Sequence, residues 1–459
     1  MITKEKAPSE TTNGASEFEA GRRSTTPDII ADKSSPVMAP IPFGYEPTGP
    51  YCKQQALILY FLLRWTAATE ERREWGFFIG VHSETWRNLI GSRYAKAMEQ
   101  LKAQGVVEVS GRIVDGRHVE SYSTGTKARK PFTKSYRLTA AYRTGKAKLY
   151  EFTDKRHCKK IRRLKGIEYK SLSIFDHWHL ANLRKLTIDL AAIDKRCFWT
   201  LNSAANIRNG LHFFKICNFQ RRHTLLTQLS RNARSALRFG IGQEELVCLD
   251  VSACQPLLLG YLAGVNHGKQ IQSLSRLRPL DRCTLPADLR RWIELCETRE
   301  IYAFLHQEVL AVGQSLKVFR YSAKLQRHFP INYETMSKRG FKRSCLIPLF
   351  DRLQEMERSP VFGVILNRFP TIASHLRKVK SKHHQTVASQ CQRLEARLIH
   401  EGAMRELNKH QNETFAATIH DAILAQKSNF SHVRRIMREQ FNVLHLTPTI
   451  KTEPIKQKP

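Results

Sequence analysis

Residues 246–262 read LVCLDVSACQPLLLGYL: an apolar run that ends in a carboxylate, a short polar patch, then a second apolar run. The first run predicts a core strand with Asp250 at its end. An unpaired carboxylate in such a place costs several kcal/mol, so Asp250 needs a cap, a cation or a metal as partner. A second stretch repeats the pattern. In TFAATIHDAIL, residues 414–424, two apolar strands flank a His-Asp turn and place Asp421 at a hairpin tip. The separation, 421 − 250 = 171 residues, is ordinary for strands that neighbour each other in one sheet. Two carboxylates side by side repel unless they share divalent cations. A pair of Mg²⁺ ions held this way is a standard device for in-line displacement at phosphorus.

The rest of the composition agrees with a phosphate-bearing partner. The chain has 459 residues, enough for two or three domains, and 41% are hydrophobic, enough for globular cores. Its formal net charge is +34, spread along most of the length, which points to a polyanion and to nucleic acid first. Residues near the N-terminus lack a signal-peptide core, and no run of about 18 apolar residues stands out, so the expectation is a cytoplasmic protein without a membrane partner. The ten cysteines form no C-x-x-C pair and read as reduced core thiols.

Residues 1–48, rich in Ser, Thr, Pro and Glu, predict a disordered tail. Residues 49–140 predict three helices, QQALILYFLLRW (54–65), SETWRNLIG (83–91) and SRYAKAMEQLKAQG (92–105), followed by VVEVSG, a basic TGTKARKPFTK tip and SYRLTAAY. Helices followed by a basic-tipped hairpin suggest a winged-helix-like module. Residues 92–101 would form its recognition helix and 127–134 its wing, putting Arg93, Lys96, Arg117, Lys127, Arg129 and Lys130 on the face that meets DNA. Residues 141–215, with KRHCKKIRRLKG, read as a basic helical connector or thumb-like region. In SKRGFKRSCLIPLFDR (337–352), Lys338, Lys342, Cys345, Leu346, Leu349 and Phe350 fall on one face of a helix, cations first and an aromatic last. Such a face can bind triphosphate oxygens at one end and stack on a base at the other.

Taken in order, these segments resemble the palm and fingers of the DNA polymerase I family (family A), related to the single-subunit phage RNA polymerases, and within it the divergent phage and mobile-element members. The resemblance covers roughly residues 216–455. Asp250, Ser252 and Gln255 match its first motif, Lys338, Lys342 and Phe350 its second, and His420 and Asp421 its third. RRHTLLTQLSRNAR (221–234) resembles the family's template and primer segment, which implies nucleic-acid contacts at Arg221, Arg222, Thr224 and Gln228, with His420 beside them. QRLEARLI (392–399) resembles the helix before the third motif, so Gln392 and Glu395 are expected to face the site.

Three features depart from the family pattern: Phe350 stands for its usual tyrosine, Pro348 interrupts a helix usually continuous, and Ala422 stands where an acid commonly follows His-Asp. The resemblance implies an α+β fold, with the winged-helix-like module ahead of an antiparallel palm and helical fingers in 216–459. It further implies a template-directed nucleotidyltransferase using two Mg²⁺ ions at Asp250 and Asp421, a DNA primer-template and dNTPs. Gln255 would sense the sugar. The alternatives are a single-subunit RNA polymerase or primase-like enzyme using RNA or NTPs, and a non-catalytic DNA-binding replication initiator.

Overall fold

The computed structural model describes residues 36–66, 78–114, 117–120, 133–163, 172–193, 197–240, 244–266, 277–311, 317–322, 327–409 and 414–454. The fold is α+β, with small antiparallel sheets set among many helices.

Order begins earlier than the composition suggests. Residues 36–48 fall within the stretch expected as a tail, yet Val37–Pro42 form strand β1, paired antiparallel with β7 (Ala147–Phe152). Val37, Ala39 and Ile41 are almost wholly buried there. Burial of this wholly apolar run outweighs the two prolines, Pro40 and Pro42, which lack a backbone donor and suit a strand with one edge unpaired. Residues 1–35 lie outside the described residues.

The helix Cys52–Thr66 follows, and every residue from Ala56 to Leu63 is buried, so it forms the centre of its module instead of lying on the surface. Helices Ser83–Leu89 and Tyr94–Ala103 come next. The second stops at Gly105, whose φ of 65° is a left-handed terminator that glycine adopts without strain. Strands β2 (Ile79–Gly80), β3 (Val107–Val109) and β6 (Ser135–Leu138) form one sheet in the order β2-β6-β3. A separate hairpin joins β4 (Gly111–Val114) to β5 (Arg117–Glu120). Lys127, Arg129 and Lys130 lie outside the described residues.

Segment 141–215 is packed core as much as connector. Ala147 and Phe152 of β7, and Phe198, Leu201 and Ala204 of the helix Phe198–Arg208, share one apolar cluster with the helix Cys52–Thr66. That cluster continues through Leu225 and Leu237 to Phe415 and Leu424. Three short strand pairs decorate it or lie beyond it: β8 (Leu186–Ile188) with β11 (Leu237–Phe239), β9 (Phe214–Ile216) with β10 (Arg222–Thr224), and β13 (Lys317–Ser322) with β14 (Arg327–Asn332).

A four-stranded antiparallel sheet carries the two aspartates. Its order is β15 (Ala416–Ile419), β16 (Ala422–Gln426), β12 (Leu246–Val251) and β17 (Ile450–Pro454). Along β12, Val247, Leu249 and Val251 enter a second large cluster with the helices that follow, while Cys248 and Asp250 point to the other face. On β16, Ile423 and Ala425 join that second cluster and Leu424 joins the first. The sheet is therefore clamped between two cores, which fixes its register. Among the described residues no helix is long and apolar enough to cross a membrane.

Candidate active site

Asp250 lies directly opposite Ala422 in the β12–β16 ladder, one residue from Asp421 at the hairpin tip. The Val251 amide donates to the Asp421 carbonyl at 3.4 Å, tying the two strand ends together. Both adjoining turns use left-handed backbone at non-glycine residues: His420 at φ 58° and Ala253 at φ 50°. Such conformations cost energy and persist where the surroundings enforce them, often at functional sites. At Ala253 the chain leaves β12 and starts the helix Cys254–Val265, so Asp250, Ser252, Cys254 and Gln255 are gathered around one sharp corner.

A third carboxylate reaches the same place from elsewhere. Glu395, 1% exposed on the helix Thr386–Ala396, receives two bonds from Arg221, Nε at 2.8 Å and Nη2 at 2.6 Å. It also accepts from Nε2 of Gln255. The ligand atoms of Cys254, Glu395 and Asp421 all lie within 4.8 Å of one another. Burial, then the charges of Glu395 and Asp250, push the Asp421 carboxyl up to about 8. Burial likewise raises Glu395, against the pull of Arg221. Arg221 is thus bonded to Glu395 and lowers Asp421 through its charge, while the charges of Asp250, Asp421 and Glu395 oppose one another.

Oxygen donors from Asp250, Asp421 and Glu395 are the hard ligands that Mg²⁺ prefers, and a divalent cation would relieve their mutual repulsion. The residues fit that ion. Unsatisfied polar atoms also border the corner: Oγ of Ser252 and Oε1 of Gln255 are buried and have no hydrogen-bond partner.

The remaining expected residues divide. Arg221 joins the carboxylates and His420 sits beside Asp421. Arg222 does not reach the surface: it is buried, donating from Nε to Asp176 at 2.9 Å and from Nη1 to the Gln220 carbonyl at 2.7 Å. Thr224 is also buried, as the residue that starts the short helix Leu225–Gln228. The expectation that these two contact nucleic acid fails because both side chains are inside the fold; a double-arginine string does not say which guanidinium faces inward. Gln228 is exposed. Gln392 is half-buried, one turn before Glu395 on the same helix.

The single helical face expected over 338–350 is broken. One helix covers Lys338–Ser344 and another Ile347–Phe350, with Pro348, which has no amide hydrogen to give, in the first turn of the second. Lys338 and Lys342 are exposed and Phe350 is half-buried. Lys380 fixes the second helix by donating to the carbonyls of Leu349 at 3.0 Å and Asp351 at 2.6 Å, and its burial lowers it to about 8. Nζ of Lys342 sits 5.1 Å over the ring of Tyr302. Burial raises the Tyr302 hydroxyl, with lesser contributions from Cys296, Cys345, Asp421 and Cys254.

Sequence reasoning missed Tyr302 and Cys254. The tyrosine stands in TREIYAFL, which carries no spacing signal; the cysteine stands inside the quoted first motif and reads there as a small core residue. A buried histidine pair behind the hairpin was missed as well. Nε2 of His179 accepts from the Thr418 amide at 3.0 Å, and its ring lies 6.3 Å from that of His400.

Arg93 and Lys96 are exposed at and after the start of the helix Tyr94–Ala103. No protein-family model matches the chain, and no curated protein matches it. Among solved structures it is similar to one described as the POL domain of Pol1 from M. smegmatis in complex with DNA primer-template and dNTP, at 17% identity and a TM-score of 0.31. The similarity covers 56% of this chain and 49% of that one, so the chain spans about half of that structure.

Proposed function

We propose that the protein is a template-directed nucleotidyltransferase, a DNA polymerase that extends a primer 3′-hydroxyl with dNTPs. The observation that carries this reading is the close approach of Asp421, at a hairpin tip, to Glu395, from a distant helix, with the charge of Asp250 on the adjacent strand acting on both, in a chain of net charge +34. Asp250 and Asp421 would hold two Mg²⁺ ions, which when bound activate the attacking hydroxyl and stabilise the leaving pyrophosphate. The chain's own residues supply the rest. Arg221 and Gln255 hold the Glu395 carboxylate in place and offset part of its charge. Lys342, with Lys338 a turn earlier, binds triphosphate oxygens at the rim, and Phe350 stacks on the nascent base pair. Gln255, hydrogen-bonded to Glu395, presents a fixed amide where a sugar 2′ position would pass.

The strand order β2-β6-β3, with helix Tyr94–Ala103 leading into β3, supports a winged-helix-like duplex grip through Arg93 and Lys96. Primer extension with separate dNTP and NTP pools tests the reading. Extension from dNTPs is expected, lost in Asp250→Asn and in Asp421→Asn while DNA affinity stays nearly intact. Incorporation of NTPs without a primer would favour the RNA polymerase or primase alternative. Site-specific duplex binding with no incorporation at all would favour the initiator.

A further inference from the structure

One residue of the carboxylate centre does not belong to magnesium chemistry. Cys254, 2% exposed, puts its sulfur within 4.8 Å of ligand oxygens of both Glu395 and Asp421. The buried Cys158, by contrast, has its thiol bonded to the Phe152 carbonyl. Sulfur is a poor ligand for Mg²⁺ and a strong one for zinc-like ions. A tetrahedral zinc with bonds of about 2.0–2.3 Å to oxygen and sulfur needs its ligand atoms about 3.3–3.8 Å apart, so the three atoms have only a short distance to close. Next along the chain, Oε1 of Gln255 is a buried acceptor with no hydrogen-bond partner, while the other end of its amide is bonded to Glu395. A buried polar atom without a partner thus stands one residue from Cys254, on a side chain that touches Glu395.

We propose that Cys254, Glu395 and Asp421 form a thiophilic cation site overlapping the catalytic centre, so that zinc or cadmium binds there in competition with the ions that support catalysis. The inference rests on the reading of Asp421 as a metal ligand. On binding, the S–H bond of Cys254 breaks, and its proton and those carried by the raised Asp421 and Glu395 carboxyls go to solvent. A metal–sulfur bond forms, a water leaves the ion, and no electrons are exchanged. The fourth position is open to water or to Gln255.

The probe is cadmium added to the full-length, metal-free chain, followed by the ultraviolet thiolate-to-cadmium charge-transfer band. The comparison set is wild type, Cys254→Ser, Cys254→Ala and, as a control, the exposed Cys283→Ser, all checked for native circular dichroism. Loss of an outer-sphere partner alone costs about 10- to 100-fold in metal affinity, so removing a direct ligand should weaken cadmium at least on the order of tenfold. The tight phase should vanish in both Cys254 variants and survive in Cys283→Ser. Titrations of the Cys254 variants that superimpose on wild type would overturn the proposal. Mn²⁺ binding, read by electron paramagnetic resonance, separates the two levels. If wild type binds Mn²⁺ and Asp421→Asn does not, yet cadmium ignores Cys254, only the thiophilic site fails. If wild type binds neither ion, the metal-centre reading fails with it.

Discussion

Replacing Arg221 by methionine removes the guanidinium bonded to Glu395 while keeping much of the side chain's apolar length. In the native site this arginine makes two charge-assisted bonds to Glu395, at 2.8 and 2.6 Å, and only 1% of Glu395 is exposed. Breaking a buried pair by removing one partner costs about 3–5 kcal/mol, because the other charge is left behind. Arg221 keeps 17% of its side chain exposed, so water moderates the loss and the lower end, roughly 3 kcal/mol, applies. The assay is urea denaturation at neutral pH, urea being chosen because guanidinium salts would screen the charges. In the presence of a chelator the variant should unfold at clearly lower urea than wild type. A divalent cation can occupy the place of the lost charge, and at a hundred times its dissociation constant it stabilises by about 2.7 kcal/mol. The variant should therefore recover more from Mg²⁺ or Mn²⁺ than wild type gains. The gap should also narrow as pH falls. Glu395 is already raised by burial, a raised carboxyl destabilises the fold only once it ionises, and protonation removes the unpaired charge. Equal stability of the two proteins in chelator, or equal gains from the cation, would refute the reasoning.

The other predictions concern the grip on DNA, the sugar and acid stability. Deleting residues 49–140 is not a clean test of DNA binding, since that segment shares its core with Phe198 and Leu201; charge reversal at Arg93 and Lys96 is. For every phosphate that a side chain ceases to neutralise, the log–log salt slope of duplex binding should fall by about 0.9, and an unchanged slope would remove this helix from the interface. Gln255→Ala should raise ribonucleotide use, shifting the dNTP/NTP ratio of kcat/KM on the order of ten- to several-hundredfold, as measured by single-nucleotide incorporation. Equal ratios with activity retained would leave Gln255 with the sole task of holding Glu395. Burial holds His179 down to about 3 and His420 down to about 4. A lowered folded value means that their neutral forms stabilise the protein above the unfolded value of about 6.5, and that this stability is lost as pH falls toward 3–4. Between neutrality and about pH 5 each should cost up to about 2 kcal/mol. His179→Gln keeps an acceptor for the Thr418 amide and should flatten this acid limb in urea titrations; an identical slope would count against it.

The sequence by itself determined the pieces whose signals are local. Short apolar runs that end in an acid marked β12 and the β15–β16 hairpin, and Gly105 marked the end of its helix, because an apolar run and backbone permission are properties of a few neighbouring residues. Strand β1 was hidden by a Ser- and Pro-rich context, and its pairing with β7 lies more than a hundred residues away. Only the tertiary structure decided which of Arg221 and Arg222 faces the acids and which is spent on Asp176. It alone brought Cys254 within reach of Glu395 and Asp421. Orientation and long-range proximity depend on how two cores clamp one sheet, and no short window of residues encodes that.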